Sequence, residues 1–177
     1  MREIGFHPVV TVMDQHPNNV KMADLLGVST DFPSFVVDEE EVVLMYDSPH
    51  LIKSLRNNLF AKNMLFDGEI LSFEYILDLF NEDIKNVPRL APRLCRNAVT
   101  LEGFTKMSVP YATATFSRTS SKAMKTYHSL GLLPGDCMPT ANFIEEIDSL
   151  FDAFNSRFES NIHKVISVLQ IILFNVF

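Results

Sequence analysis

Short apolar runs broken by polar turns dominate the first third of the chain, and a helical period takes over afterwards. Val9 to Met13 is a β-branched apolar run suited to a buried strand, and Asp14 to Asn19 is a polar, turn-like segment. Val20 to Leu26 has helical spacing, with Gly27 placed to stop it. Phe35 to Val37 and Val42 to Tyr46 flank the acidic Asp38 to Glu41, which predicts a hairpin with a charged tip. The second strand ends at Asp47. Pro49 then stands where an early helical residue tolerates proline, and Leu51, Ile52, Leu55 and Leu59 continue as a helical stripe.

From Ser72 onward the period is helical. Phe73, Ile76, Leu77 and Phe80 repeat at i, i+3, i+4 and i+7, and Val87-Pro88 breaks the pattern. A loop-rich basic stretch from Arg89 to Lys106 follows. Val109 to Leu130 is helix-compatible, with Ala112, Phe116, Ala123 and Tyr127 on its apolar side and Gly131 at its end. Pro134-Gly135-Asp136 is a turn, and Thr140 is a candidate cap for the next helix. That helix has the clearest stripe in the chain: Phe143, Ile144, Ile147, Leu150, Phe151 and Phe154. Its polar flank carries Asp148, Asp152 and Asn155. Asp152 and Asn155 are helical neighbours: they form either a hydrated surface or a carboxylate-amide pair matched to the donor and acceptor edge of guanine. Ile162 to Phe177 is strongly apolar but falls short of the roughly 18 to 20 residues needed to span a bilayer, so a core helix or strand pair is favoured over a tail anchor.

Composition narrows the classes. The chain has 177 residues, 47% hydrophobic and 21% charged, which excludes disordered and collagen-like chains and suits one domain or pieces of two. Cys95 and Cys137 show neither CxxC nor paired Cys/His spacing, which argues against structural zinc and for a reducing compartment. Charge is segregated: residues 1–50 hold nine acidic side chains against Arg2 and Lys21, whereas residues 85–125 hold eight basic side chains against Glu102 alone. The basic stretch is either a solvated face or a surface that meets phosphate. Phosphate-loop, dinucleotide and nucleophile-elbow motifs are absent, and the five histidines have no ligand spacing. Asp47, at the end of an apolar strand, caps the following helix or ligates a divalent metal in a site assembled from several strand ends.

Several ordered motifs resemble one family. Tyr46-Asp47-Ser48-Pro49-His50-Leu51-Ile52-Lys53-Ser54-Leu55-Arg56-Asn57-Asn58-Leu59 resembles the D-x-P-H-L-I-K-x-x-R-N-N-L signature of P-element-type DNA transposases. Upstream, Asp14-Gln15-His16-Pro17-Asn18-Asn19 is similar to that family's D-Q-x-x-N-N segment. Downstream, Ala91-Pro92-Arg93-Leu94, Lys106-Met107-Ser108-Val109 and Thr140-Ala141-Asn142-Phe143 through Asp152-Ala153-Phe154-Asn155-Ser156-Arg157 are similar to its GTP-binding insertion domain. The resemblance covers about residues 5–158.

The resemblance implies a mixed α/β and α fold. A partial RNase H-like α/β segment over residues 1–60 precedes a mainly α-helical insertion domain over 61–160, with an apolar tail over 161–177. It implies that Asp47 is a catalytic, Mg2+-binding carboxylate and that Arg93, Val109, Asp152 and Asn155 contact GTP, Arg93 replacing a lysine common in the family. Ser108 stands where another lysine is expected. The first catalytic Asp is expected upstream of residue 1 and the last catalytic Glu beyond the insertion. A lone carboxylate cannot hold two metals, so cutting or joining of DNA by this chain alone is not expected. The implied partners are a guanine nucleotide, DNA in the intact family and further transposase copies, with a nuclear location and no membrane. The alternative is a non-enzymatic interaction protein or regulator of transposase.

Overall fold

The computed structural model of the protein describes residues 5–29 and 31–155. The described chain divides into two compact units, one ending at Leu51 and the other starting at Ile52. The apolar segment from Ile162 lies outside the described residues.

The first unit is a small sheet with a crossover helix. Strand β1 (Val10–Met13) leads into α1 (Pro17–Leu25), and β2 (Ser34–Val37) turns into β3 (Glu40–Tyr46). β3 lies centrally, parallel to β1 and antiparallel to β2. The hairpin tip is tighter than the acidic run suggested. Asp38 and Glu39 alone make the turn, both at positive φ, while Glu40 and Glu41 pair with Val37 and Val36. Two consecutive left-handed residues match the right-handed twist of the flanking strands. A small core of Met13, Ala23 and Leu44 takes Val28, Phe35 and Tyr46 against it. Val10 and Val12 remain on the exposed face of β1, and its outer edge carries no partner strand among the described residues.

The second unit is mainly helical. Helix α2 (Ser48–Ala61) enters it, and Ile52, Leu55 and Leu59 form its buried side. Strands β4 (Met64–Phe66) and β5 (Glu69–Leu71) form a hairpin closed by Asp67-Gly68. This hairpin lies before Ser72, in a stretch of the mainly helical 61–160 domain for which no element was expected; its strands are too short to display a period, and the Asp-Gly dipeptide is its one local signal. Then come α3 (Glu74–Asp83), the short α4 (Arg96–Val99), a 3-10 turn over Gly103–Met107, α5 (Val109–Thr115), α6 (Arg118–Ser129) and α7 (Met138–Asn155). The continuous helix-compatible stretch from Val109 to Leu130 is thus two helices. Ser117 separates them and caps α6 by accepting the Ser120 amide.

Packing centres on α6 against α7. Ala112, Phe116, Ala123, Tyr127, Phe143, Ile144 and Ile147 are buried, as the spacing predicts, Met124 joins them, and Leu150, Phe151 and Phe154 of the same stripe are only half-buried. Thr140 departs from its expected role. A 3-10 turn over Gly135–Cys137 starts the helix earlier, so Thr140 lies within α7, fully buried, and its hydroxyl accepts the Ser72 amide at 3.2 Å. Phe143 meets Phe66 edge-on at 5.0 Å and Phe116 at 6.2 Å, which ties the β4–β5 hairpin to the helices through one ring. Phe143→Ala should therefore cost about 3–5 kcal/mol of stability, measured by urea denaturation, because it leaves a cavity bordered by three elements.

Candidate functional site

Helix α7 turns its apolar stripe inward and leaves its carboxylates outside. Ile147 is buried, Asp148 is half-buried and Asp152 is exposed. Asp152 and Asn155 are one turn apart at the end of α7, where a 3.6-residue period makes them neighbours on one face; the described side chains end at Phe154. One turn earlier, burial pushes the Asp148 carboxyl up, as does the nearby Asp152 charge, while Arg118 opposes the shift. The Arg118 guanidinium lies 3.9 Å from Asp148 and donates to Ser149 at 3.3 Å, so the first turn of α6 braces the outer face of α7.

Arg93 occupies an exposed position on a turn that is pinned on both sides. The pin is Asp83, a fully buried carboxylate at the end of α3. It accepts from Arg89 Nε at 2.8 Å, the Leu90 amide at 2.7 Å, the Ala91 amide at 3.2 Å and the Tyr127 hydroxyl at 3.0 Å. Arg89 in turn donates to the carbonyls of Ala91 and Leu94. Burial alone would push Asp83 up, but these donors outweigh it and hold the carboxyl below its usual range. Arg93 is thereby held between two anchored residues, Ala91 and the fully buried Leu94.

Val109 begins α5, half-buried, directly after the 3-10 turn. The segments bearing Arg93 and Val109 are tied together: Asn97 of α4 donates to the Tyr111 hydroxyl of α5, and Thr115 donates to the Ala98 carbonyl. Within the basic stretch, Lys85, Arg89, Arg118 and Lys125 each face an acidic side chain. Arg93, Arg96, Lys106 and Lys122 are exposed and carry no ion pair among the described residues. The excess positive charge is thus only partly available to a polyanion.

In the other unit, Asp47 follows β3 and its Oδ2 accepts the His50 amide at 3.1 Å, with His50 Nε2 at 4.0 Å. That is the capping geometry weighed above. The parallel register aligns Met13 with Tyr46, and the Asp47 amide donates to the Met13 carbonyl at 2.8 Å. Asp14 and Asp47 therefore lie side by side at the carboxyl ends of adjacent parallel strands. Asp14 was not among the expected site residues, although it closes an apolar strand just as Asp47 does. The His16 amide, against the opposing effect of burial and with help from Asn19, lowers its pKa. Among the described residues no group of three or more His, Cys, Asp or Glu is placed to hold a metal. No helix among them is long and apolar enough to cross a membrane.

Comparison with known proteins settles the family. Residues 49–164 match the model of the TNP-like, GTP-binding insertion domain. The chain belongs to this family. Its curated relatives include the transposable element P transposase of Drosophila melanogaster, 27% identical over 160 residues. The human DNA transposase THAP9 is 26% identical over 171 residues. Each alignment covers 89% of this chain but only 21% and 18% of the respective relative, so the chain spans about a fifth of their length. Among solved structures, the Drosophila P element transposase strand transfer complex shares the fold, with a TM-score of 0.81, 24% identity, and coverage of 97% of this chain and 41% of that one. The P-element-type resemblance seen in the motifs is thereby shown, and the insertion-domain match includes Arg93, Val109, Asp152 and Asn155.

The Asp83 clasp of this insertion domain yields a stability prediction. A carboxyl with a lowered folded pKa contributes stability that is complete above its unfolded value, ~3.9, and is lost as pH falls below it. Asp83→Asn should lower the unfolding free energy by about 3 kcal/mol at pH 7, because Arg89 loses its counter-charge. The deficit relative to wild type should shrink as urea melts are repeated towards pH 3.

Proposed function

We propose that the helical unit binds a guanine nucleotide, GTP in particular, without a phosphate loop. The insertion-domain match over residues 49–164 carries this proposal, and the exposed carboxylate on the last turns of α7 supports it. The Asp152 carboxylate accepts N1–H and N2–H of guanine, and the Asn155 amide donates to O6. Val109 packs on the nucleotide, and Arg93, held on its pinned turn, faces the phosphates with a guanidinium suited to bidentate contact. Adenine presents the opposite donor and acceptor order to Asp152, so ATP is rejected by an unpaired carboxylate.

Residues 1–60 are proposed as part of an RNase H-like domain, 61–160 as the insertion domain and 161–177 as a tail. Asp14 and Asp47 are two carboxylates of the metal-binding end of that sheet. Asp14 Oδ1 is engaged by His16 and Asn19, and Asp47 Oδ2 by His50, which leaves one oxygen of each for a cation. Bound Mg2+ would activate a nucleophile and stabilise the leaving oxygen in phosphoryl transfer on DNA. Two-metal phosphoryl transfer needs further carboxylates beside Asp14 and Asp47. Its place of action is the nucleus, where its DNA substrate resides. The outer edge of β1, which pairs with no strand among the described residues and has Val10 and Val12 exposed beside it, supports association with further transposase sequence or another copy.

Calorimetric titration with GTP, ATP and xanthosine triphosphate tests the nucleotide assignment. Wild type should prefer GTP over ATP. Asp152→Asn should weaken GTP by about 10–100-fold, the loss of a charge-assisted pair worth ~1.5–3 kcal/mol, and gain affinity for the xanthine nucleotide, whose O2 accepts from the new amide. Equal affinity for GTP and ATP, or binding of neither, would defeat the assignment.

A further inference from the structure

Arg56 of α2 is fully buried and has no ion pair among the described residues. Its Nη2 donates to the Thr105 carbonyl at 2.7 Å and the Lys106 carbonyl at 3.2 Å, and Asn57 Nδ2 adds a bond to the Lys106 carbonyl at 3.3 Å. Arg56 Nε and Nη1 and Asn57 Oδ1 have no partner among the described residues. Burying a guanidinium without a counter-charge costs several kcal/mol, so an apolar side chain of similar volume would stabilise this position better. What the guanidinium offers instead is a rigid planar donor that holds two carbonyls at a set angle.

Those two carbonyls belong to the last turn before the segment assigned to nucleotide contact. The Ser108 amide donates to the same Thr105 carbonyl that Arg56 holds, and the Ala112 amide donates to the Ser108 carbonyl. The Thr105 side chain closes the turn from the other side, donating to the carbonyls of Thr100 and Glu102 and accepting the Glu102 amide. The path from Arg56 to Val109 is therefore a run of short contacts: guanidinium, Thr105 carbonyl, Ser108 amide, first residue of α5. Without Arg56, the turn keeps its internal bonds but is tied to α2 only by the single Asn57 bond to the Lys106 carbonyl.

We propose that Arg56 is a positioning residue for nucleotide binding: by gripping the Thr105 and Lys106 carbonyls from α2, it sets where Ser108 and Val109 present themselves to the nucleotide. This rests on the guanine-nucleotide assignment above. Arg56 does not touch the nucleotide; it acts through the turn.

The test uses the full chain, with GTP affinity measured beside amide hydrogen exchange in the absence of nucleotide. Arg56→Met should weaken GTP binding by about tenfold, ~1.4 kcal/mol, under conditions where the variant is folded. It should also speed exchange at Ser108 and Ala112 while leaving α7 at the wild-type rate. Arg56→Lys, which restores charge but not the planar donor, should recover only part of the affinity. Asn57→Ala, which keeps Arg56 and removes one bond, should give a smaller loss and serves if Arg56→Met does not fold. Ile76→Val, which trims a fully buried residue of α3 and leaves every bond of the turn in place, should leave affinity unchanged. GTP binding by wild type that Arg56→Met and Asn57→Ala leave within about twofold would overturn this inference alone. Failure of wild type to bind GTP would remove the nucleotide assignment and this inference with it.

Discussion

Between α3 and α5 the chain runs from residue 84 to 108 with little regular structure, yet Ala91, Leu94, Ala98, Val99 and Leu101 along it are buried. Backbone amides and carbonyls there cannot rely on a long ladder and must find other partners. Two buried charges of opposite sign supply them. Asp83 gathers amides and a guanidinium at the start of the stretch, and Arg56 gathers carbonyls at its end. A carboxylate is an all-acceptor group and a guanidinium an all-donor group, so each suits the orphaned backbone atoms it meets. Every nucleotide-contact candidate outside α7 lies on this stretch or at its exit.

The two ends of the proposed site consequently have different mechanical character. Asp152 and Asn155 are set by the axis of α7, which the Phe143 ring and the ion pairs from α6 hold in place. Arg93 and Val109 are set by turns, and turns hold position only as well as their side-chain bonds do. Charge follows the same division. Half of the cations in the basic stretch are committed to ion pairs that brace helices or the Asp83 clasp, which leaves four exposed for an anionic ligand.

In the smaller unit the deciding constraint is strand direction. Parallel pairing of β1 and β3 brings both carboxyl ends to the same edge, and each ends in an aspartate. An antiparallel pair would have placed them at opposite ends. The crossover through α1 is what makes the parallel arrangement possible.

Much of the local architecture was legible in the residues. The stripes of α3, α6 and α7, the β2–β3 hairpin and the Asp47 cap all follow from period, turn chemistry and neighbours a few residues apart, and the ordered motifs pointed to the family before any fold was known. Other features were not legible: the inward Thr140, the β4–β5 hairpin, the adjacency of Asp14 to Asp47 and the burial of Arg56. Each depends on a partner that is distant in sequence: the Ser72 amide, the Phe143 ring, the register of β1 on β3 and the carbonyls of residues 105 and 106. Sequence alone determined most of the helices and the longer strands and the chemistry they carry, because those preferences act over a few residues. Tertiary structure decided which polar groups meet, because a buried hydrogen bond between remote residues exists only once the chain has brought them together.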